Sequence, residues 1–183
     1  ADAQIGESAA ILGSGTIGLT TLMTLLARGV KEVYVVDLID LRLEKAEEIG
    51  AFKTINAKES DVVDKIMELT DNKGVDMVFE TAGSKVTVKQ TVELVKRGGR
   101  IVSVGMAADP VIEFDFGKLQ AKEASLYTVF RYRNIYAKAI KAVGTGMIDV
   151  KSIVTDRFGL SEIDKAFKYN IENFLNFKTK IKL

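Results

Sequence analysis

The chain has 183 residues, of which 47% are hydrophobic, and its formal net charge is +1. This length suits one domain, or one domain with part of another, and the hydrophobic content is sufficient for a buried core. Lysine and arginine are scattered along the chain, so no basic stripe indicates nucleic acid or a membrane surface. No apolar stretch is long enough to span a bilayer, and the first residues lack the pattern of a signal peptide. We therefore expect a cytoplasmic protein that binds neither nucleic acid nor membrane.

The sequence contains neither cysteine nor histidine. Disulfides, thiolate nucleophiles and imidazole bases are thus excluded within the chain, as is a metal site with histidine or cysteine ligands. A metal site made only of carboxylates would need a cluster of acidic residues, and no acidic cluster has a convincing spacing. We predict no metal ligand in this chain.

A glycine-rich turn near the N-terminus is the strongest functional signal. The apolar strand predicted over 8–12 leads into Gly13-Ser14-Gly15-Thr16-Ile17-Gly18, and a predicted helix over 16–28 follows. Gly13 allows a sharp turn, Gly15 allows a pyrophosphate to approach the backbone, and Gly18 allows the helix to pack close to the strand. The helix start also offers unpaired N–H groups and a partial positive charge. The residues predicted to line a pyrophosphate are Gly13, Gly15, Thr16, Ile17 and Gly18.

An acidic residue follows at the spacing that dinucleotide sites use. The second predicted strand, 32–36, ends at Asp37, which lies nineteen positions after Gly18. Its carboxylate can accept hydrogen bonds from both ribose hydroxyls of an adenosine and would repel a 2′-phosphate, so NAD is favoured over NADP. Arg42 can stack on an adenine, pair with Asp37, or simply be a solvated charge. A tight turn without ligand and an S-adenosylmethionine site are the alternatives for the whole motif.

Strands and helices alternate through the rest of the first 133 residues. Helices are predicted over 41–49, 60–70 and 85–95, with a brief one over 117–123; further strands are predicted over 52–55, 75–80, 100–104 and 125–130. This alternation predicts an α/β fold, namely a Rossmann doubly wound sheet of six parallel strands. Ligands of such sheets bind at the carboxyl ends of the strands. The ends of the fourth and fifth strands carry Thr81, Gly83, Gly105 and Met106, for which ordinary loop turning is the alternative reading.

Two later regions depart from this pattern. Within 111–115, apolar and acidic residues alternate from Ile112 onward, which predicts a short strand with one exposed face, outside the parallel run. Beyond residue 133 we predict a helix over 136–143, a strand over 152–158, a helix through Tyr169 capped by Ser161-x-x-Asp164, and a last strand over 178–183. The tail strands have no partner strands of their own in the sequence.

The chain resembles the zinc-dependent medium-chain dehydrogenases, in particular the sorbitol and xylitol (polyol) branch. The resemblance covers essentially the whole chain and is most specific at Val129-Phe130-Arg131-Tyr132-x-Asn134; it also includes the glycine turn, Gly98-Gly99-Arg100-Ile101-Val102-x-Val104-Gly105 and Ile153-Val154-Thr155-Asp156-Arg157-Phe158. Three positions depart from the branch, which often has His at Asp156, Cys at Arg133 and Pro at Ala137. The departures at Arg133 and Ala137 concern the substrate preference.

The resemblance implies a division of labour between two parts of an enzyme. Residues 1–133 would be the NAD-binding domain and 134–183 the returning tail of a catalytic domain whose N-terminal part, with the zinc ligands and proton relay, is absent. Thr81 and Gly83 would border the adenosine; the residues that would flank the nicotinamide are Val104, Gly105, Met106, Val129, Phe130 and Arg131. Arg131 would also lie near substrate, or else form a salt bridge. Residues 111–115 would pair between subunits of a homo-oligomer, or else form a surface hairpin.

We therefore expect the cofactor-binding portion of an NAD-dependent, zinc-requiring alcohol or polyol oxidoreductase, inactive when isolated. Zinc is expected only in the missing catalytic part. One alternative is a stand-alone NAD-binding or NAD-sensing module without chemistry. Another is a zinc-free, NADPH-dependent reductase of the same superfamily, against which Asp37 argues. A methyltransferase is disfavoured because the tail also matches the dehydrogenases.

Overall fold

Six parallel strands form the main sheet of the computed structural model, which describes residues 1–109, 111–172 and 179–182. The strands are β1 (Ser8–Leu12), β2 (Glu32–Asp37), β3 (Lys53–Asn56), β4 (Val75–Glu80), β5 (Val95–Ser103) and β6 (Ser125–Thr128). Their spatial order is β3-β2-β1-β4-β5-β6. The predicted doubly wound sheet of six parallel strands is therefore confirmed.

Helices cover both faces of this sheet. They are α1 (Thr16–Ala27), α2 (Asp40–Ile49), α3 (Val62–Leu69), α4 (Lys85–Leu94) and α5 (Phe116–Ala121). Buried side chains of α1 and α2 pack in one core, and those of α3, α4 and α5 pack in a second core on the opposite face. Within β1, Ala9 and Ile11 belong to the first core and Ala10 and Leu12 to the second, because successive residues of a strand point to opposite faces. A strand covered on both faces is largely apolar, as β1 is after Ser8.

The order of the strands creates a crevice at one edge of the sheet. From β1 the chain proceeds to β2 and β3 on one side, and then crosses to β4, which pairs with the other side of β1. The connections that leave β1 and β4 at their carboxyl ends thus diverge. In sheets of this type, ligands bind at such a switch point.

The fifth strand begins earlier than the sequence predicts. Val95 pairs with Val75, whereas Arg100 pairs with Met77, so four residues of β5 lie opposite the single residue Asp76 of β4 and the chain bulges between these pairs. Gly98 lies in this bulge with φ of +67°. The expected turn at 97–99 is therefore an irregularity inside β5.

Residues 111–115 are irregular, so the predicted strand over this segment is wrong for the single chain. The alternating acids have local partners instead. Glu113 pairs with Lys89 of α4 at 2.6 Å, and Asp115 caps α5 by accepting from the Lys118 N–H at 2.8 Å. Pro110 lies outside the described residues. Pairing of this segment between subunits stays a prediction.

The tail contains α6 (Tyr136–Gly144), α7 (Ile163–Glu172), β7 (Asp156–Gly159) and β8 (Thr179–Lys182). The two tail strands pair with each other in parallel, so the expectation that they lack partners is wrong. The Gly159 N–H donates to Glu162 at 3.2 Å in the turn before α7, whereas the sequence predicts a cap at Ser161 and Asp164. Residues 178 and 183 of the predicted last strand lie outside the described ones. In the described part of the chain, no helix is long and apolar enough to cross a membrane.

A polar network around Asp76 ties β1, β4 and β5 together at their amino ends. The Asp76 carboxylate accepts from the Ser8 N–H at 2.9 Å and the Ser8 hydroxyl at 2.8 Å, and it pairs with Lys96. Burial raises the pKa of Asp76, but the hydrogen bonds from Lys96 and Ser8 outweigh burial and hold this pKa below its ordinary value. The ionised carboxylate is therefore favoured in the folded state.

Asp76→Ala is expected to lower the free energy of unfolding by about 2 kcal/mol at neutral pH. Because the folded pKa is depressed, this contribution is complete above the unfolded value of about 3.9 and disappears as the pH falls through the lower folded value. Urea unfolding of both proteins from neutral to acidic pH measures the difference. Glu44→Ala, at an exposed position of α2, is the control. A difference between wild type and Asp76→Ala that persists at the lowest pH would contradict this account.

Candidate functional site

The glycine turn joins β1 to α1 at the carboxyl edge of the sheet. Gly13 has φ of +101°, and its N–H donates to the carbonyl of Val36 at 2.8 Å. A Cβ at Gly18 would lie 1.9 Å from the Gly13 carbonyl oxygen, so only glycine fits there. A Cβ at Gly15 would meet nothing within 4 Å. The turn thus has no space for a side chain at Gly18, whereas the space beside Gly15 is open.

The open side of this turn fits a pyrophosphate. Gly15 is the N-cap of α1, whose first turn contains no acidic residue. Thr16 is partly buried and Ile17 is exposed on that first turn. The N–H groups at the start of a 12-residue helix carry a partial positive charge that attracts an anion, and the backbone of Gly15 can be approached closely.

Asp37 lies beside this turn with its carboxylate held by four donors. Its Oδ2 accepts from the Ser14 N–H at 2.7 Å and the Ser14 hydroxyl at 3.0 Å. Its Oδ1 accepts from the N–H groups of Leu38 and Ile39 at 2.8 and 3.1 Å. The carboxylate is therefore fixed between the ends of β1 and β2. The completely buried Ser14 is a contributor that the sequence analysis missed, although its place between two motif glycines could have suggested it.

Of the three readings of Arg42, the structure shows pairing with Asp37. The Arg42 Nη1 lies 3.8 Å from Asp37 Oδ2, and the two side chains are 23% and 8% exposed. The reading of Arg42 as a solvated surface charge is therefore wrong. A cation lies next to the acid that the sequence assigns to ribose binding.

The loop after β4 packs directly on the glycine turn. The Thr81 hydroxyl donates to the carbonyls of Leu12 and Gly13 at 3.0 and 2.7 Å. Gly83 has φ of +67°, and a Cβ there would lie 2.6 Å from the carbonyl oxygen of Met106. A Cβ at Gly105 would lie 2.3 Å from the Gly83 nitrogen. These glycines are therefore required by close contact between two loops, which ordinary loop turning does not explain.

The chain after β6 forms the third part of this edge. The Val129 N–H donates to the Ser103 carbonyl at 2.9 Å, which places the loop after β6 beside the end of β5. Phe130 is 71% exposed, and the Arg131 guanidinium lies 5.0 Å from its ring centroid. Within the described residues, Arg131 thus makes a cation–π contact with Phe130. The salt bridge that the sequence offered as the alternative is not seen there. A cavity of about 440 Å³ is lined by Thr128, Val129, Phe130, Arg131, Tyr132 and Arg133.

The predicted site residues lie at the carboxyl ends of the strands, in the connections that follow them, or in the first turns of α1 and α2. Val104 packs partly buried against the first core, whereas Met106 is 75% exposed. Within the described residues, no group of three or more acidic side chains could hold a metal ion. The sequence has no cysteine or histidine, so this chain cannot supply the thiolate and imidazole ligands that most zinc sites use.

Comparisons with known proteins agree with this arrangement. The chain is 42% identical over 174 residues to the zinc-type alcohol dehydrogenase-like protein YdjJ of Escherichia coli, covering 94% of this chain and 49% of that protein. It is 34% identical over 177 residues to sorbitol dehydrogenase of Bacillus subtilis, covering 97% and 49% respectively. A solved oxidoreductase/dehydrogenase of unknown specificity from Escherichia coli superposes with a TM-score of 0.92 at 40% identity, over 100% of this chain and 53% of that one. The chain thus spans about half the length of the curated relatives it matches.

Two further solved structures contain a nicotinamide cofactor. An alcohol dehydrogenase from Escherichia coli, 26% identical with a TM-score of 0.88 over 95% of this chain and 51% of its own, is complexed with NADH. A zinc-binding dehydrogenase from Sinorhizobium meliloti, 30% identical with a TM-score of 0.86 over 90% of this chain and 49% of its own, is bound to NADP. The family model described as zinc-binding dehydrogenase matches residues 16–145. The chain therefore belongs to the zinc-binding dehydrogenase family and corresponds to the coenzyme-binding portion of a polyol dehydrogenase-like member.

Proposed function

We propose that this chain is the NAD-binding portion of a zinc-requiring alcohol or polyol dehydrogenase. The observation that carries the proposal is the fixed Asp37 carboxylate beside an open glycine turn. Such a pair provides a place for a pyrophosphate and for the adjoining adenosine ribose. The sorbitol dehydrogenase among the relatives supports a polyol as the substrate class.

Each part of the edge has a role in this proposal. The amide groups at the start of α1 bind the pyrophosphate, and Asp37 accepts from the ribose hydroxyls. Residues 81–83 border the adenosine side, while residues 104–106 and 129–131 flank the nicotinamide. When bound, NAD supplies an acceptor for the hydride of an alcohol carbon. This chain holds and orients the cofactor, and Arg131 lies on the side where substrate enters.

The preference for NAD over NADP is the second element of the proposal. A 2′-phosphate would bring negative charge next to the Asp37 carboxylate, which disfavours NADP. The nearby Arg42 is the observation that favours the alternative, a zinc-free NADPH-dependent reductase, because a guanidinium can pair with phosphate. We favour NAD because the Asp37 carboxylate is the less exposed partner and both its oxygens accept hydrogen bonds at the turn. These bonds fix its negative charge where it would repel a 2′-phosphate.

The 183-residue chain is expected to bind NADH and to oxidise no alcohol, because it contains no zinc ligand of the usual type. Calorimetric titration with NADH measures the binding, and NADH formation from NAD with xylitol or sorbitol measures turnover. Absence of saturable NADH binding by the folded chain would refute the cofactor role. Turnover of either polyol by this chain alone would refute its dependence on zinc held elsewhere.

A further inference from the structure

Glu80 is a completely buried acid at the centre of the candidate site, and no sequence motif points to it. It is the last residue of β4 and stands opposite Leu12 of β1 and Ser103 of β5. Burial of a carboxylate is costly unless hydrogen bonds compensate it. Its position between the glycine turn and the loop after β5 therefore needs an explanation in terms of its partners.

One carboxylate oxygen of Glu80 holds the loop after β4. Its Oε1 accepts from the N–H groups of Ala82 and Gly83 at 3.0 and 2.8 Å. The hydroxyl of Thr87, on the first turn of α4, donates to the same oxygen at 2.7 Å. Three donors from the loop and the following helix thus converge on one atom.

The main chain of Glu80 holds the loop after β5. Its carbonyl accepts from the N–H groups of Val104 and Gly105, both at 2.9 Å. Its Oε2 lies under Gly105, where a Cβ would come within 2.6 Å of this oxygen. Within the described residues Oε2 has no hydrogen-bond partner. The residue thus joins the loop at 81–83 to the loop at 104–106.

We propose that Glu80 is a positioning residue that holds residues 104–106 against residues 81–83, and so shapes the surface that meets the nicotinamide half of the cofactor. The inference rests on the proposed function, in which residues 104–106 flank the nicotinamide. An apolar side chain could fill the same space but would leave the amides of Ala82 and Gly83 without an acceptor. Without that acceptor these part-buried amides seek other partners and residues 81–83 move, while the main-chain carbonyl of residue 80 still holds residues 104 and 105, so the two loops separate.

The test compares NADH with ADP, which lacks the nicotinamide half. The ratio of their affinities measures what the nicotinamide half contributes in each variant. We expect Glu80→Leu to lower this ratio about 10-fold, while ADP, which still meets residues 81–83, weakens by a smaller factor of about 3. Glu80→Gln retains an acceptor oxygen and is expected to keep the ratio within about 3-fold of wild type. Glu93→Leu, the same kind of change on α4 at a residue paired with Lys118, is the matched control and should leave the ratio unchanged.

Thr87→Val is a second variant for the case that Glu80→Leu does not fold. It removes one donor to the Glu80 Oε1 and leaves the carboxylate in place. Its ratio is expected to fall about 3-fold at an unchanged melting temperature. If Glu80 had only a general structural role, its substitution would weaken NADH and ADP binding by the same factor and leave the ratio unchanged. That result would overturn the inference. A wild-type chain that binds NADH no more tightly than ADP would overturn it too. Failure of the folded wild type to bind NADH at all would instead refute the proposed function.

Discussion

Gly18→Ala is expected to lower the free energy of unfolding by about 3 kcal/mol and to abolish measurable NADH binding. The added Cβ would lie 1.9 Å from the carbonyl oxygen of Gly13, which belongs to the turn and cannot rotate away as a side chain would. Either α1 or the turn must move, and both form the proposed pyrophosphate site. Urea unfolding and NADH titration measure the two effects.

Gly15→Ala is the matched control for this prediction. Its Cβ would meet no atom within 4 Å, and Gly15 has φ of −69°, which alanine adopts readily. Stability should therefore stay within about 0.5 kcal/mol of wild type, while NADH binding weakens because the new methyl group occupies the approach to the backbone. A stable Gly18→Ala variant that binds NADH like wild type would contradict the described packing. Unchanged NADH binding by Gly15→Ala would contradict the proposed pyrophosphate position.

Asp37→Asn is expected to reduce the preference for NADH over NADPH about 100-fold. The amide keeps the size of the carboxylate but removes the charge that repels a 2′-phosphate. It also removes the negative charge that lies 3.8 Å from the Arg42 guanidinium in the wild type, so this cation attracts the phosphate more strongly. Separate titrations with the two reduced cofactors give the preference as a ratio of dissociation constants.

Asp40→Asn is the control for Asp37→Asn, because it neutralises another acid only three residues away. Asp40 is exposed at the start of α2 and accepts from the Asn56 amide. A change at Asp40 should leave the ratio within about 3-fold of wild type, since exposed charges are screened. If both substitutions changed the ratio of NADH and NADPH dissociation constants equally, the overall charge, and not Asp37, would set the preference. A wild-type chain that prefers NADPH would favour the alternative reductase.

The spacing of local signals explains why the sheet and glycine turn could be predicted. The first strand, the turn and the first helix are contiguous, and the structure retains the positive φ of Gly13, the close packing of Gly18 and the open space beside Gly15. Asp37 follows at the end of the next apolar strand. Once strands and helices alternate, parallel pairing and right-handed connections leave few other topologies.

The features that were missed depend on contacts between distant segments. Glu80 resembles any polar residue at a strand end until the fold brings the loop after β5 over it. The alternation over 111–115 has the period of a strand, but Glu113 and Asp115 contact α4 and α5. The parallel pairing of β7 with β8 joins segments separated by α7, and no local periodicity encodes such a pair.

The most direct test of a dinucleotide site at this edge is an amide NMR titration of the chain with NADH. Glycine amides act as reporters on both sides of the molecule. We predict that the signals that shift include Gly13, Gly15, Gly18, Gly83 and Gly105. Gly50, at the end of α2, and Gly144, at the end of α6, should keep their positions. Saturable shifts confined to the first set would support the account, whereas shifts centred on Gly50 and Gly144, or none with the chain folded, would contradict it.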